Sequence, residues 1–370
     1  MIKIGIDIRP ALNQIGGIPR YIRSFLKALS FERDFNFYLL CPTINPSLEI
    51  PEYPNLTVHN FRVSSVFYWE QVKIPLLFQK LNLDIFHSFI GRGPIRNVQI
   101  PFTITIHDVG PFYFRPKINR PNEFFRNVYN RFVTKKCSRS SAKVFTDSIY
   151  MAKEIQKIFE IEPGKIQTVY GGVDDLFFFP SRLSVEKFGL SEKKYLLHLS
   201  GKGGNKNTHR VIDAYLTLPE ALKKEYPLVI AGLTYLPSAY FDYLSKIAPI
   251  VYLGPVSEDT LACLYQNALL FIWPSIWEGF GLPIVEAMAS GTAVIISRST
   301  SLPEIGGDAA YYVDPYSEKE IAEGIQRLIE DNHLREELIT KGLSRANLFT
   351  WEKTVTQFLG TWKSITTKEC

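Results

Sequence analysis

Apolar and polar positions alternate along this chain in two rhythms, one with a period of two and one near four. Ile2, Ile4, Ile6 and Ile8 repeat at every second residue, as in a half-buried strand. Gly16 and Gly17 follow in a loop, and Pro19 opens a predicted helix through Leu29. Short apolar runs predict strands at Phe35–Cys41, Leu56–Phe61, Leu83–Phe89 and Phe102–Val109, with a helix at Val66–Leu81. A second helix is predicted over Asn122–Arg139, where Phe124, Phe125, Val128, Tyr129, Phe132 and Val133 share helical spacing. Strand Lys143–Thr146, helix Ile149–Phe159 and strand Ile166–Tyr170 complete this set. Gly171–Gly189 breaks the rhythm and reads as a linker.

A second alternation follows. Strands are predicted at Tyr195–Ser200, Leu228–Ala231, Ile250–Leu253, Ala268–Trp273, Thr292–Ile296 and Tyr311–Val313. Helices are predicted at Thr208–Leu216, Ser238–Ile247, Ser257–Asn267, near Ser317–Glu330 and Leu334–Asn347, and at Trp351–Ile365, which Thr350 can cap. Strands alternating with helices predict parallel sheets covered on both faces. The expected organisation is a first domain over 1–172, a second over 173–349, and a last helical segment over 350–370.

The densest chemistry lies in SIWEGFGLPIVEAMASGTAV, Ser275 to Val294. A strand closed by Pro274 leads into a loop with Glu278, Gly279 and Gly281. A helix then starts at Pro283 and ends at Gly291. Strand, glycine loop and helix start place backbone N–H groups and a positive helix end at the strand's carboxyl edge, where an anion belongs. Glu278 precedes the helix and Glu286 is expected in its first turn. Carboxylates beside an anion site are suited to accept hydrogen bonds from sugar hydroxyls. Phosphate on the amides and hydroxyls on the glutamates together describe a nucleotide sugar. On spacing alone, an ordinary strand-loop-helix connection stands equally open.

In the second half, Ser200–Asn207 reads SGKGGNKN. Its glycines let the backbone approach a ligand closely. Lys202 and Lys206 bring two positive charges there, which would stabilise a diphosphate as its charge grows on bond cleavage. A solvated surface loop with two lysines is the plain alternative.

The segment EGFGLPIVEAMASGTAV resembles the signature of the family 4 glycosyltransferases, retaining enzymes of the GT-B fold. Their hallmark is a pair of glutamates with seven residues between them, the first followed by a Gly-Phe-Gly or similar turn. The resemblance runs from about Ile2 to Trp351. It implies two Rossmann-like, doubly wound domains facing a central cleft, with the last helix crossing back to the first domain. It places a basic pair at Lys202 and Lys206, with Lys202 where Arg is usual. It places a donor-facing histidine at His107, and the glycine loop of the diphosphate and acceptor at Gly16 and Gly17. Tyr170–Asp174 and Leu302–Gly307 match further family segments.

The activity this implies is retaining transfer of a hexose, mannose from GDP-mannose ahead of glucose, galactose or rhamnose donors. The acceptor would be a hydroxyl of a glycan or lipid-linked glycan in bacterial surface-polysaccharide synthesis. Glu286 would take the ribose hydroxyls and the lysines the diphosphate. The amides of Phe280, Gly281 and Leu282, with Glu278, would take the sugar, and His107 would contact it from the first domain. The nucleotide sugar is a co-substrate; no cofactor and no metal are expected. A sugar-nucleotide epimerase and a non-catalytic sugar-nucleotide-binding protein of the same fold are the rival readings.

Composition narrows this further. The length of 370 residues suits two ordinary domains, and 46% hydrophobic with 21% charged residues is that of a globular protein. Cys41, Cys137, Cys263 and Cys370 are far apart and form no CxxC, as in reduced cytosolic thiols. From the strand-like start MIKIGIDIRP no signal peptide is expected. A cytoplasmic protein is expected. A net charge of +5 points neither to nucleic acid nor to a membrane. Locally, however, Arg115–Lys143 carries nine Lys or Arg against Glu123 alone, interleaved with Phe124, Phe125, Tyr129 and Phe132. Two explanations stand open there. One is a solvated helix face over a core stripe; the other is a patch for an anionic membrane, at the inner face of the plasma membrane, or for a lipid diphosphate acceptor.

Overall fold

A computed structural model describes all residues except 13–15, 30–31, 43–49, 64, 97, 115–120 and 368–370. The chain divides into two compact units, Met1–Gly172 with Trp351–Cys370, and Val173–Thr350.

The first unit holds a seven-stranded sheet of β1 (Ile2–Asp7), β2 (Phe35–Cys41), β3 (Leu56–Asn60), β4 (Ile85–Ser88), β5 (Phe102–Thr105), β6 (Lys143–Thr146) and β7 (Ile166–Thr168). Its order is β3-β2-β1-β4-β5-β6-β7, and every pair is parallel. The chain thus starts mid-sheet, winds outward, and returns beside β1 to wind the other way. That reversal between β1 and β4 is the switch point of a doubly wound sheet. Parallel strands need both faces covered, which is why Ile4, Ile6, Phe37, Leu39 and Ile85 are all buried. The Trp351–Thr367 helix completes this core with Trp351, Val355, Phe358, Leu359 and Trp362. Trp362 donates from Nε1 to Thr103 Oγ1 at 3.1 Å, and Thr354 Oγ1 donates to the Tyr170 carbonyl at 2.7 Å.

The second unit repeats the plan with β8 (Leu196–Leu199), β9 (Leu228–Ala231), β10 (Ile250–Gly254), β11 (Leu270–Trp273), β12 (Ala293–Ser297) and β13 (Tyr311–Val313). Its order is β10-β9-β8-β11-β12-β13, again all parallel, with the switch point between β8 and β11.

Several expectations are corrected. The expected Val66–Leu81 helix is a short α-turn at Val66–Tyr68, a π-helical turn at Trp69–Lys73 and an α-helix at Ile74–Lys80. Pro75 explains the break, because it has no N–H to continue the α-ladder. The strand from Phe102 ends at Thr105 and not at Val109; Gly110–Tyr113 forms a helical turn. Residues 171–189 are not a bare linker. Two 3-10 turns, Asp175–Phe177 and Val185–Phe188, lie there, and Phe177 is buried against Tyr265. Short helices at Glu220–Glu225 and Leu302–Gly306 carry no periodic apolar signal and were not anticipated.

The basic stretch is settled in part. Arg115, Lys117 and Arg120 lie outside the described residues. On the Pro121–Ser140 helix, Phe124, Phe125, Val128 and Phe132 are exposed, and Val133 alone of the six apolar positions is buried. A core stripe is therefore excluded for most of this face. Cys41, Cys137 and Cys263 are buried and unbridged, and Cys370 lies outside the described residues.

Candidate functional site

In the second unit, two strand ends at the switch point feed two loops. β8 leads through Ser200 into a 3-10 turn at Gly204–Lys206 and the Thr208–Leu216 helix. β11 leads through Pro274 into the Leu282–Ala289 helix. The loops are stitched together. Ser275 Oγ and Ile276 N both donate to the Asn205 carbonyl, at 2.7 and 2.8 Å. Asn205 Nδ2 donates to the Trp277 carbonyl at 3.0 Å. Asn207 is buried in the left-handed conformation, φ 63°, and its amide donates to the carbonyls of Pro274 and Pro315.

This stitching sets Lys206 Nζ 2.6 Å from Glu278 Oε1 and 4.7 Å above the centre of the Trp273 ring. The pair is largely buried, with side chains 24% and 10% exposed. Glu278 is fixed from its own backbone as well: its N–H donates to Thr300 Oγ1 at 3.1 Å, and Ser301 Oγ bonds the carbonyls of Glu278 and Phe280, both at 3.0 Å. Gly281 has φ 108°, and a Cβ there would sit 3.0 Å from Ile284 and Leu302, so glycine alone makes this turn. The turn starts the helix at Leu282, with Pro283 at its second position. Phe280 is buried, edge-on to Phe349. Glu286 is also buried, but one turn into the helix and not in its first turn.

Lys202 is exposed, on the same loop as Lys206. A Cβ at Gly201 would meet the Lys206 side chain at 2.8 Å, so this glycine lets the lysine lie across the backbone. Beneath the loop, His198 is fully buried. Its ring bonds the Ile272 carbonyl through Nδ1 and Thr208 Oγ1 through Nε2, both at 2.9 Å. Burial, opposed by the bond to the Ile272 carbonyl and aided by the charge of Lys206, holds its pKa down to about 4. It is a neutral support for the loop.

The remaining candidates are in the first unit. Gly16 is described, with φ 131°, and precedes the Gly17–Ala28 helix; both glycines are exposed. His107 lies just beyond β5 and pairs with Asp147, beyond β6, at 2.6 Å. Asp147 was not singled out from the sequence. The only signal it gives there is a carboxylate closing a buried strand. Also unforeseen is a buried network in which Glu70 accepts hydrogen bonds from Arg9 at 2.7 Å, Tyr129 at 2.9 Å and Arg92 at 3.3 Å. Glu70 sits on the π-turn, whose position the pattern did not reveal.

No group of three or more His, Cys, Asp or Glu among the described residues is arranged to hold a metal ion. The groups that are gathered are a lysine, the Glu278 carboxylate and the start of a helix, with Glu286 one turn into that helix. Such a set can hold an anion and hydroxyls together.

Comparison with known proteins bears on the family and the fold. The Glycosyltransferase Family 4 profile matches residues 15–175, and that of Glycosyl transferases group 1 matches residues 182–345. The chain is similar to O-antigen chain mannosyltransferase B of Escherichia coli, 28% identical over 392 residues that span 98% of this chain and 100% of the relative. It shares its fold with sucrose-phosphate synthase from Thermosynechococcus elongatus, at a TM-score of 0.79 and 16% identity, over 98% of this chain and 99% of that one. It also shares it with HepE of Anabaena, solved with UDP-glucose, at 0.75 and 17%, over 98% and 100%. The architecture is GT-B.

Proposed function

For a chain that belongs to the family 4 glycosyltransferases, we propose transfer of mannose from GDP-mannose to a hydroxyl of a glycan or lipid-linked glycan, with retention of the anomeric configuration. The observation that carries this is the meeting of Lys206, Glu278 and the Leu282–Ala289 helix start at the switch point of the second sheet. In this reading Lys206 and Lys202 hold the diphosphate and Glu286 the ribose. Glu278 and the amides of Phe280, Gly281 and Leu282 hold the sugar. His107 takes a substrate hydroxyl. As the bond from the sugar to the diphosphate breaks, negative charge grows on the leaving oxygens, and an ammonium already aimed there stabilises that state above the ground state. Glu278 neutralises Lys206 and keeps the largely buried charge paired. A diphosphate would take over that partner role.

Mannose is supported by the relative in Escherichia coli, an O-antigen chain mannosyltransferase. The same relative supports a place in surface-polysaccharide synthesis. The test is a panel of nucleotide sugars scored by thermal stabilisation, then by transfer. A ligand at a hundred times its dissociation constant adds about 2.7 kcal/mol. GDP-mannose should stabilise most; a larger effect from a UDP or dTDP sugar would replace the donor. We assign no metal and no cofactor, so transfer should survive EDTA. Activity abolished by chelator and restored by magnesium or manganese would overturn that.

Among the described residues no helix is long and apolar enough to cross a membrane. Contact with an anionic membrane is proposed instead for the face that exposes Phe124, Phe125, Val128 and Phe132 beside Arg126, Arg131, Lys135 and Lys136. Phe67 joins that face, its ring 5.8 Å from that of Tyr129, and is itself exposed.

A further inference from the structure

The buried pair at the carboxyl edge of the first sheet does more than join two strands. β5 and β6 are parallel neighbours, with Thr105 opposite Phe145. Ile106 N donates to the Phe145 carbonyl at 2.9 Å, and Thr146 Oγ1 donates to the Ile106 carbonyl at 2.8 Å. These bonds carry the register past the strand ends, so His107 and Asp147 leave the sheet side by side. Ser148 then caps the Ile149–Phe159 helix by accepting from Met151 N, which pins the backbone next to Asp147.

Asp147 Oδ2 lies 2.6 Å from His107 Nδ1, and both side chains are more than nine-tenths buried. Tyr21, from the Gly17–Ala28 helix, packs edge-on to the His107 ring at 4.7 Å and is backed by Trp351 at 4.9 Å. The ring is therefore fixed in place. Three polar atoms are left enclosed and unpartnered among the described residues: His107 Nε2, Asp147 Oδ1 and Tyr21 Oη. A pair serving only to weld two strands would leave no such set. Groups of this kind are normally satisfied, by protein, water or ligand.

We propose that Asp147 is a positioning residue for His107, resting on the reading of His107 as a substrate contact. A carboxylate only accepts, so Nδ1 must carry the ring proton. In the neutral ring Nε2 then presents a lone pair, which accepts a hydrogen bond from a hydroxyl of the sugar or acceptor. Tyr21 stays a neutral O–H, because burial first and the charge of Asp147 second hold its pKa well above the usual value. Its hydroxyl can donate beside that nitrogen. The spot thus offers one acceptor and one donor to a polyol.

The test uses the full chain. In the 15N spectrum of the wild type, His107 should show the Nδ1–H tautomer. Asp147→Asn, whose amide can turn an N–H toward Nδ1, should shift the ring to Nε2–H. Turnover in Asp147→Asn should fall by roughly a hundredfold with little change in donor KM. The double variant Asp147→Ala/His107→Ala should be no slower than His107→Ala alone. An Nε2–H ring in the wild type, or full additivity of the two alanine changes, overturns the positioning role and leaves His107 as a substrate contact. Wild-type turnover in His107→Ala removes that contact, and the role of Asp147 with it. Should Asp147→Asn fail to fold, the alanine cycle and the wild-type tautomer still decide.

Discussion

Lys206 and Glu278 are 72 residues apart, yet they form one ion pair over the Trp273 ring. Removing Lys206 takes away a cation whose partner charge grows during bond cleavage. Lys206→Ala should therefore lower turnover by roughly a hundredfold and change donor KM much less, as read by steady-state kinetics. Unchanged turnover with a raised KM would reassign Lys206 to ground-state binding. Glu286 makes a different prediction. A carboxylate is a stronger acceptor for hydroxyls than an amide, so Glu286→Gln should weaken the free nucleoside diphosphate as well as the full donor, by calorimetry. Equal affinities would end the ribose assignment. His198 links the same loop to pH. Its folded pKa is lowered to about 4 from 6.5, so between these values the unfolded chain binds the extra proton and the folded one does not. Its contribution is complete above pH 6.5 and is lost as pH falls toward 4. Denaturant midpoints should drop over that window, and less so in His198→Gln; equal drops would acquit His198.

Element by element, short-range chemistry explains most boundaries. Gly281 and Pro283 start the Leu282–Ala289 helix, and Gly291, at φ 68°, follows its end. The Ile149–Phe159 helix and β6 stand where the periodicity puts them. The π-turn at Trp69–Lys73 does not, because periodicity cannot say how a helix meets Pro75. The Pro121–Ser140 helix shows a second limit. Its aromatic positions are helical in spacing, as a core stripe would be, but Phe124, Phe125 and Phe132 face outward, and only Tyr129 turns in toward Glu70. For this element the expected outcome is salt-sensitive binding to anionic vesicles and little to neutral ones, since charge attraction is screened within about 8 Å at physiological strength. Replacing Arg126, Arg131, Lys135 and Lys136 together by Gln should reduce co-sedimentation and leave donor binding unchanged. Equal co-sedimentation of both proteins at low salt would make the face a merely solvated one.

At the scale of the whole molecule, the end of the chain supports its beginning. Phe358 stacks on Phe145 at 4.1 Å and meets Phe25, His87 and Trp362 at 5.1, 5.3 and 5.4 Å. Phe358→Ala should cost about 3–5 kcal/mol in chemical denaturation, because the site is closed on all sides and cannot collapse. A loss under about 1 kcal/mol would show that the helix is dispensable to the core. The fold class was legible because alternating periods of two and near four are local, and parallel sheets follow from them. The Glu278–Gly281 turn was legible for the same reason: glycine, proline and carboxylate at fixed offsets act within a few residues. Which residues meet was not. Lys206 faces Glu278 because β8 lies beside β11, and Asp147 faces His107 because β5 lies beside β6. Strand order is a property of the folded sheet, set by how helices cover both faces, and no spacing along the chain encodes it. The sequence by itself determined the elements and the chemistry they carry. Only the tertiary structure decided the partners, because a hydrogen bond across neighbouring strands joins residues that no local pattern connects.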